Sequence, residues 1–261
     1  MKKISIIIYF AFLIIISACQ SEEVTYQIEL KENNEIISSA GKQQLNSEDT
    51  GKGVYLTFDD GPTSVTKNIL DTLSQFNAKA TFFMLEPAMR KYPDVVKRIA
   101  EDGHGLGIHG VTHDVNQFYT SEQSALEEMI TAQETLQDIT DVRSKLIRTP
   151  YGSIPYLTES YREVLDSNGF HLWDWNVDSS DWSLSGDKYI DSIVNQIENL
   201  ASAEETSIVL MHDQEETANH LSLLLTYLSE NGFQTKKIGE NIEPYNFSCY
   251  DRCHSLNSSQ N

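Results

Sequence analysis

The rhythm of hydrophobic and polar positions changes at residue 53. From there, short apolar runs alternate with longer segments whose apolar residues recur every three or four positions. Val54-Tyr55-Leu56-Thr57-Phe58 reads as a strand running into Asp-Asp-Gly-Pro, a turn sequence. Residues 64–76 place Val65, Ile69, Leu70, Leu73 and Phe76 at helical spacing. Ala80 to Leu85 reads as a second strand, 93–101 as a helix with Val95, Val96 and Ile99 inward, and Gly105 to Ile108 as a third strand. A long helix over 121–139 carries a stripe of Leu126, Met129, Ile130, Leu136 and Ile139. Leu146-Ile147 begins a fourth strand. A helix near 156–168, a strand near 170–177, a helix near 187–200, the strand Ile208 to Met211, a helix over 217–231 and a short strand near Phe233-Gln234-Thr235 complete the order.

Strands alternating with helices imply βα units and a mostly parallel sheet. Roughly six or seven such units suit either a barrel or a doubly wound sheet, and periodicity leaves both open. Residues 246–261 are polar, without a period, and read as a loose tail.

The first nineteen residues follow another pattern. Lys2 and Lys3 precede a nearly unbroken apolar run, Ile4 to Ile16, and then Ser17-Ala18-Cys19. That run is short for a membrane span and suits the core of a signal peptide. Ile16-Ser17-Ala18-Cys19 resembles the lipobox of bacterial lipoproteins, which implies cleavage before Cys19 and a lipid on its sulfur. The alternative is an ordinary secretory signal with an incidental cysteine. The lipoprotein reading divides the chain into a signal peptide (1–18), a flexible polar tether (19–50), one α/β domain (51–240) and a C-terminal tail (241–261). It places the protein outside the cytoplasm, anchored to the cell membrane through the two acyl chains of a diacylglycerol on Cys19, which hold where one is marginal. Within the tether, Tyr26 to Leu30 alternates as a strand would.

Charge and cysteines narrow the picture. The formal net charge of −20 argues against nucleic acid as a partner, since phosphate binding needs basic patches. One domain on a tether predicts a monomer. Cys249 and Cys253 could be bridged in an oxidising compartment or remain free thiols, and both readings stay open.

The chemistry-bearing residues fall just after the strands. Asp59 and Asp60 follow the first, His109 and His113 the third, Arg148 the fourth, Asp178 and Asp181 the fifth, and His212 the sixth. In parallel α/β folds, ligands and catalytic groups collect at those ends. His109 and His113 stand four apart, so one helical turn would face both imidazoles the same way. With a carboxylate from elsewhere, Asp60 being the candidate, they would make a three-ligand metal site. Adjacent aspartates on an extended strand point apart, but at a turn they can share one site. Trp173 and Trp175 read as core residues.

Thr57-Phe58-Asp59-Asp60-Gly61-Pro62 resembles the first motif of the NodB-type polysaccharide deacetylases, carbohydrate esterase family four. His109-Gly110-Val111-Thr112-His113 resembles the second motif, Arg148-Thr149-Pro150-Tyr151-Gly152 the third, Asp178-Ser179-Ser180-Asp181-Trp182 the fourth, and Leu210-Met211-His212 the fifth. All five stand in the family's order. The resemblance implies a distorted (β/α)7-type barrel and a Zn2+ ion, or another divalent transition metal, on Asp60, His109 and His113. It implies Asp59 as general base, Arg148 as the cation paired with it, His212 as general acid, and Asp181 as the group that orients His212. The Tyr151 N–H would serve the oxyanion, and Trp182, Leu210 and Pro150 would shape the acetyl pocket. One departure stands out: the residue after the first histidine is usually Ser or Thr, and here it is Gly110.

The Asp-Asp-Gly-Pro form is similar to members that act on N-acetylglucosamine residues. The implied substrate is a cell-wall polysaccharide, peptidoglycan first and chitin-type oligosaccharides next. The alternatives are an O-acetyl esterase on acetylated xylan and an inactive glycan-binding surface lipoprotein.

Overall fold

A computed structural model describes residues 52–256, so Cys19 and the Tyr26–Leu30 segment lie outside the described residues. The sheet is built around β1 (Gly53–Asp59), buried from Leu56 to Asp59. A strand covered on both faces must be apolar throughout, which is why β1 reads as a continuous run. Strand β7 (Ser207–His212) pairs with it in parallel from Val54 to Asp59. The other edge of β1 is shared: β8 (Gln234–Lys236) takes Gly53–Tyr55 and β2 (Thr81–Met84) takes Thr57–Asp59. Beyond β2 come β3 (Gly105–Ile108), β4 (Leu146–Ile147) and β5 (His171–Leu172); beyond β7 comes β6 (Val177–Asp178). Every pairing is parallel.

Strands β5 and β6 lie at opposite ends of this order, yet only Trp173 to Asn176 separate them in sequence. Those five peptide steps reach at most about 18 Å. The sheet therefore curls until its edges nearly meet, and the fold is a distorted (β/α) barrel rather than a doubly wound sheet. The single strand expected near 170–177 is two pieces on two edges. The N–H of Trp173 still bonds Ile147 O and that of Asn176 bonds Ile208 O, while the backbone between them leaves both ladders.

The helices pack outside the sheet. They are α1 (Thr66–Gln75), α2 (Glu86–Lys91), α3 (Pro93–Glu101), α4 (Val115–Phe118), α5 (Glu122–Thr140), α6 (Glu159–Ser167), α7 (Lys188–Ser202) and α8 (Glu215–Glu230). Helices α2 and α4 went unpredicted because they are too short to show a period. Helix α5 starts at a reciprocal cap in which Ser121 and Ser124 each accept from the other's N–H. Its Leu126, Met129 and Leu136 are buried, and Ile130 and Ile139 pack partly buried against the same core.

The described part of the tail, up to residue 256, is held rather than loose. Phe247 N–H donates to Asp174 Oδ2 at 2.7 Å and His254 N–H to Pro155 O at 2.9 Å. Cys249 and Cys253 form a disulfide within it. Among the described residues, no helix is long and apolar enough to cross a membrane.

Candidate active site

A cavity of about 410 Å³ opens at the C-terminal ends of the strands. Asp59 and His212 face it from adjacent strands, where they are direct register partners. Alternation along β1 would send Asp60 the opposite way from Asp59. Instead Asp60 leaves the strand in the left-handed region (φ 70°), which brings both carboxylates to one site. Gly61 follows because a Cβ there would collide with the Asp213 carboxylate, which itself accepts from the Thr63 and Thr66 hydroxyls.

Asp60, His109 and His113 converge. Asp60 Oδ1 is 3.5 Å from His109 Nε2 and 3.4 Å from His113 Nε2, and one ligand atom from each residue lies within 4.8 Å of the others. For metal–ligand bonds of about 2.0–2.1 Å, a tetrahedral ion separates its ligands by about 3.4 Å. Asp60 Oδ1 is also buried without a hydrogen-bond partner, a costly state that a cation would relieve. His109 Nδ1 lies 2.7 Å from Arg148 O. A carbonyl can only accept, so Nδ1 carries a proton, and Nε2 is the nitrogen turned toward Asp60. Burial, then the neighbouring His109, lowers the pKa of His113 and favours the neutral ring that ligation needs. The donor set fits a divalent metal. The two histidines, however, do not share a helical turn: residues 109–114 are irregular, with Gly110 at φ 92° and His113 at φ 47°.

Arg148 is fully buried and stacks over Phe83, its guanidinium carbon 4.3 Å from the ring centroid. It donates to Trp173 O, Asp174 O, Thr57 Oγ1 and, at 2.9 Å, Asp59 Oδ1. The carbonyls are those that leave the ladder between β5 and β6.

On the other flank, His212 Nδ1 lies 2.7 Å from Asp181 Oδ1, and Asp181 Oδ2 accepts from His212 N–H and the Thr217 hydroxyl. Burial disfavours the imidazolium, but the hydrogen bond and charge of Asp181, with the charges of Asp59 and Asp60, outweigh it and push the His212 pKa to about 9. Burial also acts to raise Asp181, yet the same hydrogen bonds hold its pKa below the usual range.

Tyr151 (φ 65°) and Ser180 (φ 54°) add two more left-handed residues on the cavity loops. Tyr151 and Trp182 line the cavity with their rings largely exposed, and Leu210 lines it as a buried residue. The Tyr151 hydroxyl donates to His113 O at 3.0 Å. Pro150, expected in the pocket, is not part of its lining: it is buried, and its carbonyl accepts from the Tyr119 hydroxyl. Trp173 is core as expected, but Trp175 is half-buried and lines the cavity. Asp178 lines it as well, and its Oδ1 accepts from Ser180 N–H. Sequence reasoning missed Thr57, Asp174, Thr217 and Glu128. The Asp174 carboxylate accepts from the Ser153 N–H and hydroxyl as well as from Phe247, and so ties the third-motif loop to the tail.

A parallel barrel that gathers these groups round one cavity defines an α/β-barrel hydrolase. The chain belongs to the polysaccharide deacetylase family, whose sequence pattern matches residues 46–173. It is similar to the Bacillus subtilis protein YheN, at 45% identity over 195 residues (74% of this chain, 69% of that one). It is also similar to a Bacillus cereus peptidoglycan-N-acetylglucosamine deacetylase, at 36% identity over 201 residues (75% of this chain, 73% of that one). Among solved structures, a Bacillus cereus polysaccharide deacetylase superposes with TM-score 0.69 at 35% identity, covering 75% of this chain and 97% of that one.

Proposed function

We propose that this chain removes N-acetyl groups from N-acetylglucosamine residues of peptidoglycan. The observation that carries the reading is the pairing of Asp59 and His212 across adjacent strands at the cavity beside the Asp60, His109 and His113 cluster. An amide needs an activated water, a stabilised oxyanion and a protonated leaving nitrogen, and the site offers a group for each. A divalent cation on Asp60, His109 and His113, zinc by the usual preference of such ligands, supplies carbonyl polarisation and a water of lowered pKa.

The chain's own residues do the rest. Asp59, fixed by Arg148, accepts a proton from the attacking water. The Tyr151 N–H donates to the carbonyl oxygen as charge develops there. Leu210 and Trp182 confine the acetyl methyl. His212, with Nδ1–H held on Asp181, delivers the proton on Nε2 to the departing nitrogen, and the products are acetate and a free amine. The substrate is favoured by the names of the similar proteins, several of which are peptidoglycan-N-acetylglucosamine deacetylases. A lipid on Cys19 would hold the domain beside that polymer at the outer membrane face; a Cys19→Ser protein found in the membrane fraction as before would remove that part.

The test is acetate release from peptidoglycan, N-acetylglucosamine oligomers and acetylated xylan, with and without a chelator. Peptidoglycan should lead, and chelation or Asp59→Asn should abolish the release. Full activity after complete metal removal, or a preference for xylan, would contradict the reading.

A further inference from the structure

The loop joining the two imidazoles lacks the hydroxyl that usually follows the first of them, because Gly110 stands there. Its inner N–H groups are nevertheless satisfied from a distant element. Glu128, on α5, accepts from Val111 N–H and Thr112 N–H through Oε2 at 2.9 Å each, and from the Thr112 hydroxyl through Oε1 at 2.7 Å. Successive N–H groups converging on one carboxylate oxygen form an anion-binding nest. Thr112 Oγ1 then accepts from Asp114 N–H at 3.3 Å, so the same contact reaches beyond His113.

Gly110 belongs to this arrangement. Its φ of 92° is one that side-chain-bearing residues rarely adopt. A Cβ there would lie 3.2 Å from Glu128 Oε2 and 3.4 Å from the Phe118 ring. The bare backbone admits the carboxylate, and the carboxylate supplies the loop bonds from outside. Glu128 stands on a rigid base, since its neighbours Ala125 and Met129 are fully buried. It is not a member of the ligand cluster itself.

Resting on the metal reading above, we propose that Glu128 is a positioning residue that holds the His109–His113 loop in its metal-binding geometry. Supporting groups of this kind typically govern metal affinity by about 10- to 100-fold.

The test measures zinc affinity of the full chain by competition with a chromophoric chelator, alongside thermal melting of the metal-free protein. Glu128→Ala should weaken zinc by about 10- to 100-fold while the metal-free fold melts cooperatively. Glu128→Gln should stay within about threefold of wild type, since its amide oxygen can accept both N–H groups and its NH2 can donate to Thr112 Oγ1. Wild-type affinity in Glu128→Ala overturns the proposal, and an equal loss in Ala and Gln overturns the geometric role in favour of charge. If Glu128→Ala does not fold, Thr112→Val, which removes one of the three bonds, carries the test: a loss of a few-fold supports the role and none refutes it. His113→Ala is measured in parallel. Zinc binding unchanged in that variant refutes the metal site itself, whereas loss there with none in Glu128→Ala refutes only Glu128.

Discussion

Asp181→Asn isolates the acid half of the site. Asp181 Oδ2 receives two donors, His212 N–H and the Thr217 hydroxyl, while Oδ1 faces His212 Nδ1. An asparagine would set its single oxygen where the two donors converge, which turns its NH2 toward Nδ1. That nitrogen must then accept, and an imidazolium would place N–H against N–H. Burial, opposed until now chiefly by Asp181, would lower the ring's pKa from about 9 toward its usual 6.5, with the charges of Asp59 and Asp60 still acting to raise it. The acid works only when protonated, so activity falls as pH rises through this value. At pH 8 a ring of pKa 9 is about 90% protonated and one of pKa 6.5 about 3%, so a full return to the ordinary value costs about 30-fold. At pH 6 the same arithmetic gives a loss of only about 1.3-fold. Acetate release from pH 6 to 9.5 should therefore show the alkaline limb of Asp181→Asn displaced toward acid, by up to about 2.5 units. If variant and wild type share one alkaline limb, His212 is not the proton donor or Asp181 does not tune it.

Three further outcomes follow. The folded-state pKa of His212, about 9, stands above its unfolded value of about 6.5, so its contribution of about 3 kcal/mol is complete below pH 6.5 and lost as pH rises through 9; urea unfolding at pH 6.5 and 9.5 should show that loss in wild type and a flatter profile in His212→Gln. Arg148→Met leaves the Asp59 carboxylate buried without its cation and two carbonyls without a donor, costing about 3–5 kcal/mol by denaturant titration, and a cost under about 1 kcal/mol would show that these bonds are not what holds Asp59 and the two carbonyls. Phe247→Ala removes an edge-on ring 5.0 Å from Trp175, a cavity wall; at about 0.5–1.5 kcal/mol for such a pair, KM should rise about 2- to 10-fold with kcat little changed, and an unchanged KM would detach the tail from the site.

How much of this was legible in the sequence depended on whether the signal was local. Strands β1, β3 and β7 were readable because a buried parallel strand is an apolar run and the polar residues that follow it mark the cavity. The 170–177 segment was not, since its two-residue strands lie on different edges and no period survives a break after Leu172. The spacing of His109 and His113 suggested a helical turn, but the loop reaches convergence through Gly110 and His113 in left-handed conformations. A spacing of four can thus point to a shared ligand without fixing the backbone that achieves it. Glu128 left no local trace, because it acts across 16 or 17 residues on a loop that it does not border. The tail looked loose for the same reason: its anchors, Asp174 and Pro155, belong to other elements.

The open seam of the barrel and the fixing of the base are one feature. Between β5 and β6 the chain cannot pair with both edges, so the carbonyls of Trp173 and Asp174 leave their ladders inside the protein, where an unpaired carbonyl is costly. Arg148 donates to both, and the same planar fork carries Nη1 to Thr57 and Asp59 on β1. A lysine could not span these acceptors, because its donors share one nitrogen, whereas the guanidinium spreads its donors over three. Thr57 in turn donates to Val209 O on β7, so the chain of bonds crosses from the seam through β1 to the strand that bears His212. Closing the seam by ordinary strand pairing would take the two carbonyls from Arg148 and leave a buried cation under-satisfied beside Asp59. The irregular closure of this barrel is therefore part of how it holds a carboxylate in place.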